Sequence, residues 1–236
     1  MRDSAKWRVV IGEMNTKWYD AQREAARQLE EAVRPWNPTN LALYWKNANE
    51  DNLMEHLIFC ALTPQTKVET LERILEDQFV TRNAGFRGMS ESQISEELKS
   101  GGVRFPRNKA RQIRELTARK LSIHAFLDEL GRWSNSDLEH ERWVRLILID
   151  VIRGGLGLKV ASLFLKDVGF ASHLAVLDSQ NFRYAKKVGL IPDTTTDGIL
   201  QYTEVYYKLE DWEHDLANRL GVATAAVDWP IMAASQ

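Results

Sequence analysis

Two apolar segments joined by a glycine-rich turn constrain the fold more than any other feature of this sequence. They run from Leu138 to Ile152 and from Val160 to Val168, and the turn between them includes Gly155 and Gly157. Apolar residues recur at helical spacing in both segments, which predicts a helix, a turn and a second helix. Glycines allow positive φ angles and a close approach of the backbone, so amides at the start of the second helix can converge on a phosphate oxygen. The alternative is a turn that only links two core helices.

The remainder of the chain carries the same helical pattern, and strand-like alternation is scarce outside Leu174–Leu177. Ser90, with Gln93 three residues later, has the arrangement of a capping box that begins a helix. The sequence therefore predicts an essentially all-α protein. In addition to the hairpin, helices are expected at Thr16–Val33, Glu50–Leu62, Val68–Leu75, Ser90–Lys99, Arg104–Arg119 and Ser122–Leu130.

Composition excludes several classes of protein. The single cysteine, Cys60, lies in an apolar run, so the chain cannot form an internal disulfide, a zinc knuckle or a four-cysteine iron–sulfur cluster. No apolar stretch reaches the roughly 20 residues of a membrane helix, and the N-terminus lacks the apolar region of a signal peptide, so we expect a cytoplasmic protein without membrane contact. The net charge of -2 differs from the basic charge typical of nucleic-acid-binding proteins, so any phosphate binding must rest on local groups.

Lys159 and Asp178 are the candidate catalytic residues. Lys159 stands where the second helix of the hairpin begins, and Asp178 ends the apolar run Leu174–Leu177. A lysine amine that is partly removed from water is more easily neutral, and a neutral amine can attack a sugar C1′ and form a Schiff base. A nearby carboxylate can stabilise the positive charge that develops on the sugar as a base departs. The alternative is an ordinary salt bridge or two solvated surface charges.

The stretch from Gly155 to Leu165, followed by Gly169 and by Asp178, resembles the signature of the helix-hairpin-helix DNA glycosylase superfamily. Within the superfamily it is most similar to the type-2 8-oxoguanine DNA glycosylases. The resemblance implies that Lys159 is the catalytic nucleophile and that Asp178 is the second essential residue.

The fold that the resemblance implies has two α-helical lobes, with the target base flipped into the cleft between them. The central lobe is expected at about residues 52–150. The second lobe is expected to combine the N-terminal helix with residues 151–236, and the hairpin itself is placed at about 153–159.

Two upstream segments extend the resemblance. Residues 59–66 resemble the turn that wedges into the duplex, which implies that Gln65 fills the gap left by the flipped base and hydrogen-bonds the orphaned partner base. Residues 102–110 resemble the next turn and helix start of the family, where Arg104 and Lys109 are expected to bind DNA together with Gly155 and Gly157. An ordinary turn and solvated cations are the alternatives.

Departures from the family pattern bear on which base is removed. Val160 stands where type-2 members typically carry a glutamate, and the C-terminal segment follows a different pattern. Trp229 and the terminal carboxylate of Gln236 are candidates for the pocket of the flipped base. The expected substrate is 8-oxoguanine, and a different modified base, for example one in phage DNA attacked by a defence enzyme, remains open.

The sequence thus predicts a DNA glycosylase with an associated AP lyase step, acting on double-stranded DNA without a metal or organic cofactor. We expect it to work as a monomer at the nucleoid. The rival from another class is a non-catalytic hairpin module that only binds phosphates and needs neither Lys159 nor Asp178.

Overall fold

The computed structural model describes residues 4–33, 44–82, 85–118, 122–132, 137–152 and 156–235. Within these ranges the regular secondary structure is helical and contains no β-strand, which confirms the predicted all-α class. None of the helices in these ranges is both long enough and apolar enough to cross a membrane.

Twelve α-helices follow one another along the described residues. They are α1 (Ser4–Val33), α2 (Tyr44–Asn47), α3 (Glu50–Leu62), α4 (Val68–Leu75), α5 (Glu91–Ser100), α6 (Pro106–Thr117), α7 (Ile123–Gly131), α8 (Leu138–Ile152), α9 (Leu158–Asp167), α10 (Ser179–Lys187), α11 (Thr203–Leu220) and α12 (Asp228–Ala234). A π-helical turn spans Glu76–Thr81, and short 3-10 helices span Asp197–Gln201 and Thr224–Ala226.

The chain divides into two compact units. The central unit comprises residues 41–171 and contains α2 to α9. The terminal unit combines residues 1–40 with residues 172–236 and contains α1 and α10 to α12. The predicted lobes grouped residues 151–171 with the second lobe, which differs from this division because α9 belongs to the central unit.

Helix α3 forms the middle of the central unit and contacts α4, α6, α7 and α9. Its buried residues are Leu53, Leu57, Ile58, Cys60, Ala61 and Leu62. A helix that is apolar on several sides belongs in the interior, where each side can be covered by another helix. The predicted bounds of this helix, Glu50 to Leu62, are confirmed.

Helix α1 belongs to the terminal unit, where it packs against α11 and α12. Its buried apolar residues recur every three or four positions and form one stripe: Val10, Met14, Trp18, Ala21, Ala25, Leu29 and Val33. The helix begins at Ser4 rather than at the predicted Thr16. Val10 and Met14 continue the apolar stripe ahead of Thr16, and this was the signal for the earlier start.

Other predicted boundaries differ from the structure by a few residues. The capping box of Ser90 and Gln93 is present at the start of α5, as predicted. Helix α6 begins at Pro106 and not at Arg104, because the residue before the proline has left-handed backbone angles and cannot continue a helix. Helix α9 begins at Leu158, two residues before the predicted Val160.

Candidate active site

Lys159 is the second residue of α9, a helix fixed in the central unit by its apolar face. Ala161, Phe164 and Leu165 are fully buried, and the helix packs against α3 and α8. The Lys159 side chain is half-buried. The candidate nucleophile therefore stands at the end of a well-packed helix, where its backbone position is set by the core.

The N-terminus of α9 has the features of a phosphate-binding site. Gly157 is the N-cap residue, and no side chain caps the helix. First-turn amides have no intrahelical partner and the helix dipole is positive at this end, so an anion is favoured here. Gly155, the other predicted glycine contact, lies outside the described residues.

The glycine at position 157 is not required by the packing around it. Gly157 is exposed, its φ is -90°, and a Cβ added there would meet no atom of the described residues within 4 Å. Any residue can adopt this backbone conformation. A glycine here leaves the backbone open to the close approach of an external group such as a phosphate.

Asp178 is the N-cap residue of α10 and is half-buried. Its carboxylate Oδ1 accepts hydrogen bonds from the backbone amides of Gln180 at 2.7 Å and Asn181 at 3.4 Å. In return, the backbone amide of Asp178 donates to Oδ1 of Asn181 at 3.1 Å, which completes a capping box. The orientation of the Asp178 carboxylate is therefore set by the first turn of α10.

The two candidate catalytic residues belong to different units, Lys159 to the central unit and Asp178 to the terminal unit. Each is fixed within its own unit by a helix N-terminus: Lys159 lies in the first turn of α9, and Asp178 caps α10. Their joint action stays a proposal.

Gln65 lies in a turn directly after α3 and has a φ of 60°, which is uncommon for a residue other than glycine. The turn is held by the amine of Lys109. Its Nζ donates to the carbonyl oxygens of Leu62 at 2.6 Å and Pro64 at 2.7 Å, and to Oγ1 of Thr66 at 2.6 Å. These three contacts fix the backbone on both sides of Gln65.

The structure gives Lys109 a task other than the predicted phosphate contact. The residue is only 6% exposed, and burial lowers the pKa of its amine to about 8. An ammonium group has three hydrogens, and the three oxygens of the turn account for all of them. Lys109 therefore shapes the turn that presents Gln65, and a phosphate would have to break these bonds to reach it.

Phe105 was not among the DNA-binding residues predicted from the sequence. It has a φ of 57°, and 55% of its surface is exposed although it is a large apolar residue. The guanidinium of Arg104, itself exposed, lies 5.9 Å from the centre of the ring. Phe105 also lines a cavity of about 280 Å³ together with Gln65 and Val160. Its position before a proline, where a helix cannot continue, was the available signal.

Trp229 lies in the first turn of α12 with 57% of its surface exposed. An exposed tryptophan is unusual in a folded protein, since its large apolar surface normally packs in a core or an interface. Helix α12 contacts α10, the helix that Asp178 caps. Gln236, the second predicted pocket residue, lies outside the described residues.

A family model described as 8-oxoguanine DNA glycosylase matches residues 38–222 of the chain. The chain belongs to the 8-oxoguanine DNA glycosylase family. The predicted membership of the helix-hairpin-helix glycosylases and the predicted enzyme class, a DNA glycosylase and lyase, are thereby confirmed.

Curated relatives in this glycosylase family are identical to the chain at more than a quarter of the aligned positions. A protein of Korarchaeum cryptofilum named 8-oxoguanine DNA glycosylase/AP lyase is 28% identical over 183 residues, which are 78% of this chain and 79% of that protein. A protein of Metallosphaera sedula with the same name is 29% identical over 186 residues, 78% of this chain and 81% of its own length.

Solved structures of 8-oxoguanine DNA glycosylases have the same fold. The enzyme of Methanocaldococcus jannaschii, crystallised with a 15mer DNA that contains 8-oxoguanine, gives a TM-score of 0.64 at 22% identity and covers 90% of this chain and 93% of its own. The enzyme of Thermotoga maritima gives a TM-score of 0.63 at 22% identity and covers 95% of this chain and 94% of its own.

The match to the glycosylase family includes most of the candidate site. Gln65, Lys159 and Asp178 lie within residues 38–222, whereas Trp229 lies beyond them. Helix α1 also lies outside the matched residues, although it packs against α11, which lies within them.

Proposed function

We propose that this chain excises 8-oxoguanine from double-stranded DNA, with Lys159 as the nucleophile and Asp178 as its carboxylate partner. The observation that carries the proposal is a lysine in the first turn of a helix without a side-chain cap, within the part of the chain that matches the glycosylase family. A helix N-terminus that binds a DNA phosphate brings the sugar close to a side chain of that same turn.

In the proposed reaction the neutral amine of Lys159 attacks C1′ of the flipped nucleotide. The bond between C1′ and the base breaks, and the base leaves with the bonding electrons and takes up a proton. The carboxylate of Asp178 stabilises the positive charge on the sugar and accepts a proton from the attacking amine. Opening of the sugar ring then gives a Schiff base between Lys159 and C1′.

The lyase step follows from the Schiff base. Loss of a proton from C2′ moves electrons toward C3′, and the 3′ phosphate departs as the leaving group. This β-elimination cuts the strand, and hydrolysis of the Schiff base then releases Lys159. The relatives named 8-oxoguanine DNA glycosylase/AP lyase support the inclusion of this step.

The proposed DNA interface uses exposed features of the central unit together with Trp229 of the terminal unit. The first turn of α9, with Gly157 at its cap, would bind a phosphate. Gln65 and Phe105 would occupy the gap left in the base stack, since both line the same cavity and both have strained backbone angles. Arg104 would contact a phosphate beside them. Trp229 would stack on the flipped base.

The identity of the excised base is the most specific part of the proposal, and it depends on the residues near the cavity. Val160, where type-2 relatives typically carry a glutamate, is half-buried and lines the cavity that contains Gln65. A neutral residue there changes the polarity of this region, so a different modified base is the alternative substrate. A monomer acting at the nucleoid remains a prediction.

Covalent trapping tests the proposal directly. The protein is incubated with labelled duplexes that contain 8-oxoguanine or other modified bases, and borohydride is added to reduce any Schiff base. We expect an adduct with the 8-oxoguanine duplex that is lost in Lys159→Gln. Lys166→Gln, on the same helix, is the matched control and should trap as well as the wild type.

The outcomes separate the alternatives. An adduct with another base only would replace the proposed substrate. Released base without an adduct would mean that water and not Lys159 attacks C1′. Neither released base nor adduct with any duplex, together with salt-dependent DNA binding, would favour the non-catalytic hairpin module.

A further inference from the structure

The segment that ends in Asp178 is extended but has no strand partner among the described residues. Its backbone amides donate to side chains of the terminal unit instead of to another strand. The contacts are Ala175 to Oε1 of Glu210 at 3.2 Å, Val176 to Oδ1 of Asp228 at 3.4 Å, Leu177 to the hydroxyl of Tyr206 at 3.4 Å, and Asp178 to Oδ1 of Asn181 at 3.1 Å. Buried backbone amides must find acceptors, and here helices α10, α11 and α12 supply them.

Asn181 connects this segment to α11. Its Oδ1 accepts from the amide of Asp178, and its Nδ2 donates to Oε1 of Glu213 at 3.1 Å. Both ends of the side-chain amide are therefore used, and the residue is only 5% exposed. Helix capping uses only the contact to Asp178, so burial and the second partner indicate a role beyond capping.

Glu213 has no exposed surface. Burial, followed by the charge of Asp228, raises the pKa of Glu213 well above its ordinary value. One oxygen of this carboxyl, Oε1, accepts from Nδ2 of Asn181, and Asp228 lies close enough to add to the shift. Asp228 in turn accepts from the amide of Val176, so the pair contacts the segment at a second point.

A buried acid of this kind is costly unless its hydrogen bonds are made, and a leucine of similar size would fill the space at lower cost. Buried polar networks instead fix a single arrangement of the groups that they connect. The group that this network connects to the rest of the unit is the backbone amide of Asp178, whose carboxylate is held by the same first turn of α10.

We propose that Asn181 and Glu213 are positioning residues that fix the carboxylate of Asp178 in the orientation required for base excision. The inference rests on the proposed function. The side-chain Oδ1 of Asn181 accepts from the amide of Asp178, and the backbone amide of Asn181 donates to the Asp178 carboxylate, so a fixed Asn181 side chain fixes the turn that holds this carboxylate. Glu213 accepts from Nδ2 of Asn181 and so holds this side chain in place.

Three variants test the inference: Asn181→Ala, Glu213→Ala and Glu213→Gln. Single-turnover excision of 8-oxoguanine by Asn181→Ala should be slower by about 10- to 100-fold, because a small displacement of a catalytic group has effects of that size. The Kd for DNA should remain within about twofold, since no phosphate contact is changed. Glu213→Ala should behave like Asn181→Ala.

Glu213→Gln is the variant that distinguishes positioning from simple support of the fold. Glutamine keeps the size of the side chain and an oxygen that can accept from Nδ2 of Asn181, so excision should stay within about threefold of wild type. Gln22→Ala, which removes a buried side-chain amide on α1 of the same unit, is the matched control for stability. It should leave the excision rate unchanged.

Amide hydrogen exchange supplies a readout that does not depend on activity. Exchange at Ala175 to Asp178 should become faster in Asn181→Ala and remain slow in Glu213→Gln. Equal excision rates in wild type and Asn181→Ala, or a loss confined to DNA affinity, would overturn the inference. If the wild type excises no base although the exchange pattern is as expected, the proposed function fails and the positioning role fails with it, while the network itself stands.

Discussion

At the scale of single residues, Asp178 combines two tasks in one side chain. It caps α10 by accepting from two backbone amides, and it is the proposed carboxylate partner of Lys159. The two tasks need different properties: capping needs an oxygen acceptor, whereas stabilisation of a cationic sugar needs a negative charge.

Asp178→Asn should separate these tasks. Asparagine is as good an N-cap residue as aspartate, so the free energy of unfolding should change by less than about 1 kcal/mol. Base excision should fall by about 100-fold or more, because the negative charge is lost. Chemical denaturation and single-turnover excision measure the two effects. A variant that keeps full excision would exclude Asp178 from the chemistry.

Sequence reasoning at this scale succeeds for residues within recognisable motifs and fails for residues whose role depends on distant contacts. Lys159 and Asp178 could be selected because each stands at a helix start in a family pattern. The partners of Lys109 lie more than forty positions away along the chain, so its burial against the Gln65 turn has no local signal. The link between Asn181 and Glu213 is equally non-local.

At the scale of elements, α3 and α9 are joined by a charged hydrogen bond. Nδ1 of His56 lies 2.6 Å from Oδ2 of Asp167, near the C-terminal end of α9. The hydrogen bond to Asp167 raises the pKa of His56 above its ordinary value of 6.5, and burial partly opposes this. Glu55 adds a further negative charge next to the ring, and Tyr44 packs against it edge-on.

The stability supplied by this pair should depend on pH. Because the folded pKa of His56 is raised, its contribution is fully present below the ordinary value of 6.5 and is lost as the pH rises through the folded value. The difference in unfolding free energy between wild type and His56→Gln should therefore be larger at low pH than at high pH. Denaturation across this range measures it. When Asp167 is replaced by Asn, the effect of His56→Gln on the unfolding free energy should depend less on pH. An unchanged pH dependence would refute the pairing of His56 with Asp167.

The N-terminus of α9 offers a second test at this scale. Gly157→Ala has room for its Cβ and should lower the unfolding free energy by no more than about 1 kcal/mol, the cost of a weaker N-cap. DNA affinity should fall on the order of 10-fold, because the Cβ keeps a phosphate away from the first-turn amides. Fluorescence anisotropy at two salt concentrations measures this affinity. Unchanged binding would mean that the phosphate does not bind at the first turn of α9.

Element boundaries were predictable where a cap or a proline marks them, and less so elsewhere. The start of α5 follows from its capping box, and α3 follows from a continuous apolar pattern. The segment before Asp178 has the sequence pattern of a β-strand, but its backbone amides donate to side chains and not to another strand. Local alternation indicates an extended backbone, but the identity of its partners depends on the tertiary fold.

At the scale of the whole molecule, the two ends of the chain form one compact unit. Helix α1 packs against α11 and α12, which follow it by more than 160 residues. An all-α class could be predicted from periodicity, but the pairing of distant segments could not, since one sequence carries no signal for which apolar stripes meet. The unit that contains Asp178 thus depends on a helix outside the region matched by the glycosylase family.

Leu29→Ala tests this dependence. Leu29 lies on the buried stripe of α1 and is 1% exposed, so its truncation should lower the unfolding free energy by about 2–5 kcal/mol. Tyr19→Ala, on the same helix but 74% exposed, is the matched control and should change it by less than about 0.5 kcal/mol. Thermal and chemical denaturation compare the two variants.

Because α11 supplies acceptors to the segment that ends in Asp178, Leu29→Ala should also speed amide exchange at Ala175 and Leu177. Exchange as slow as in the wild type would mean that α1 only covers a unit that is already complete without it.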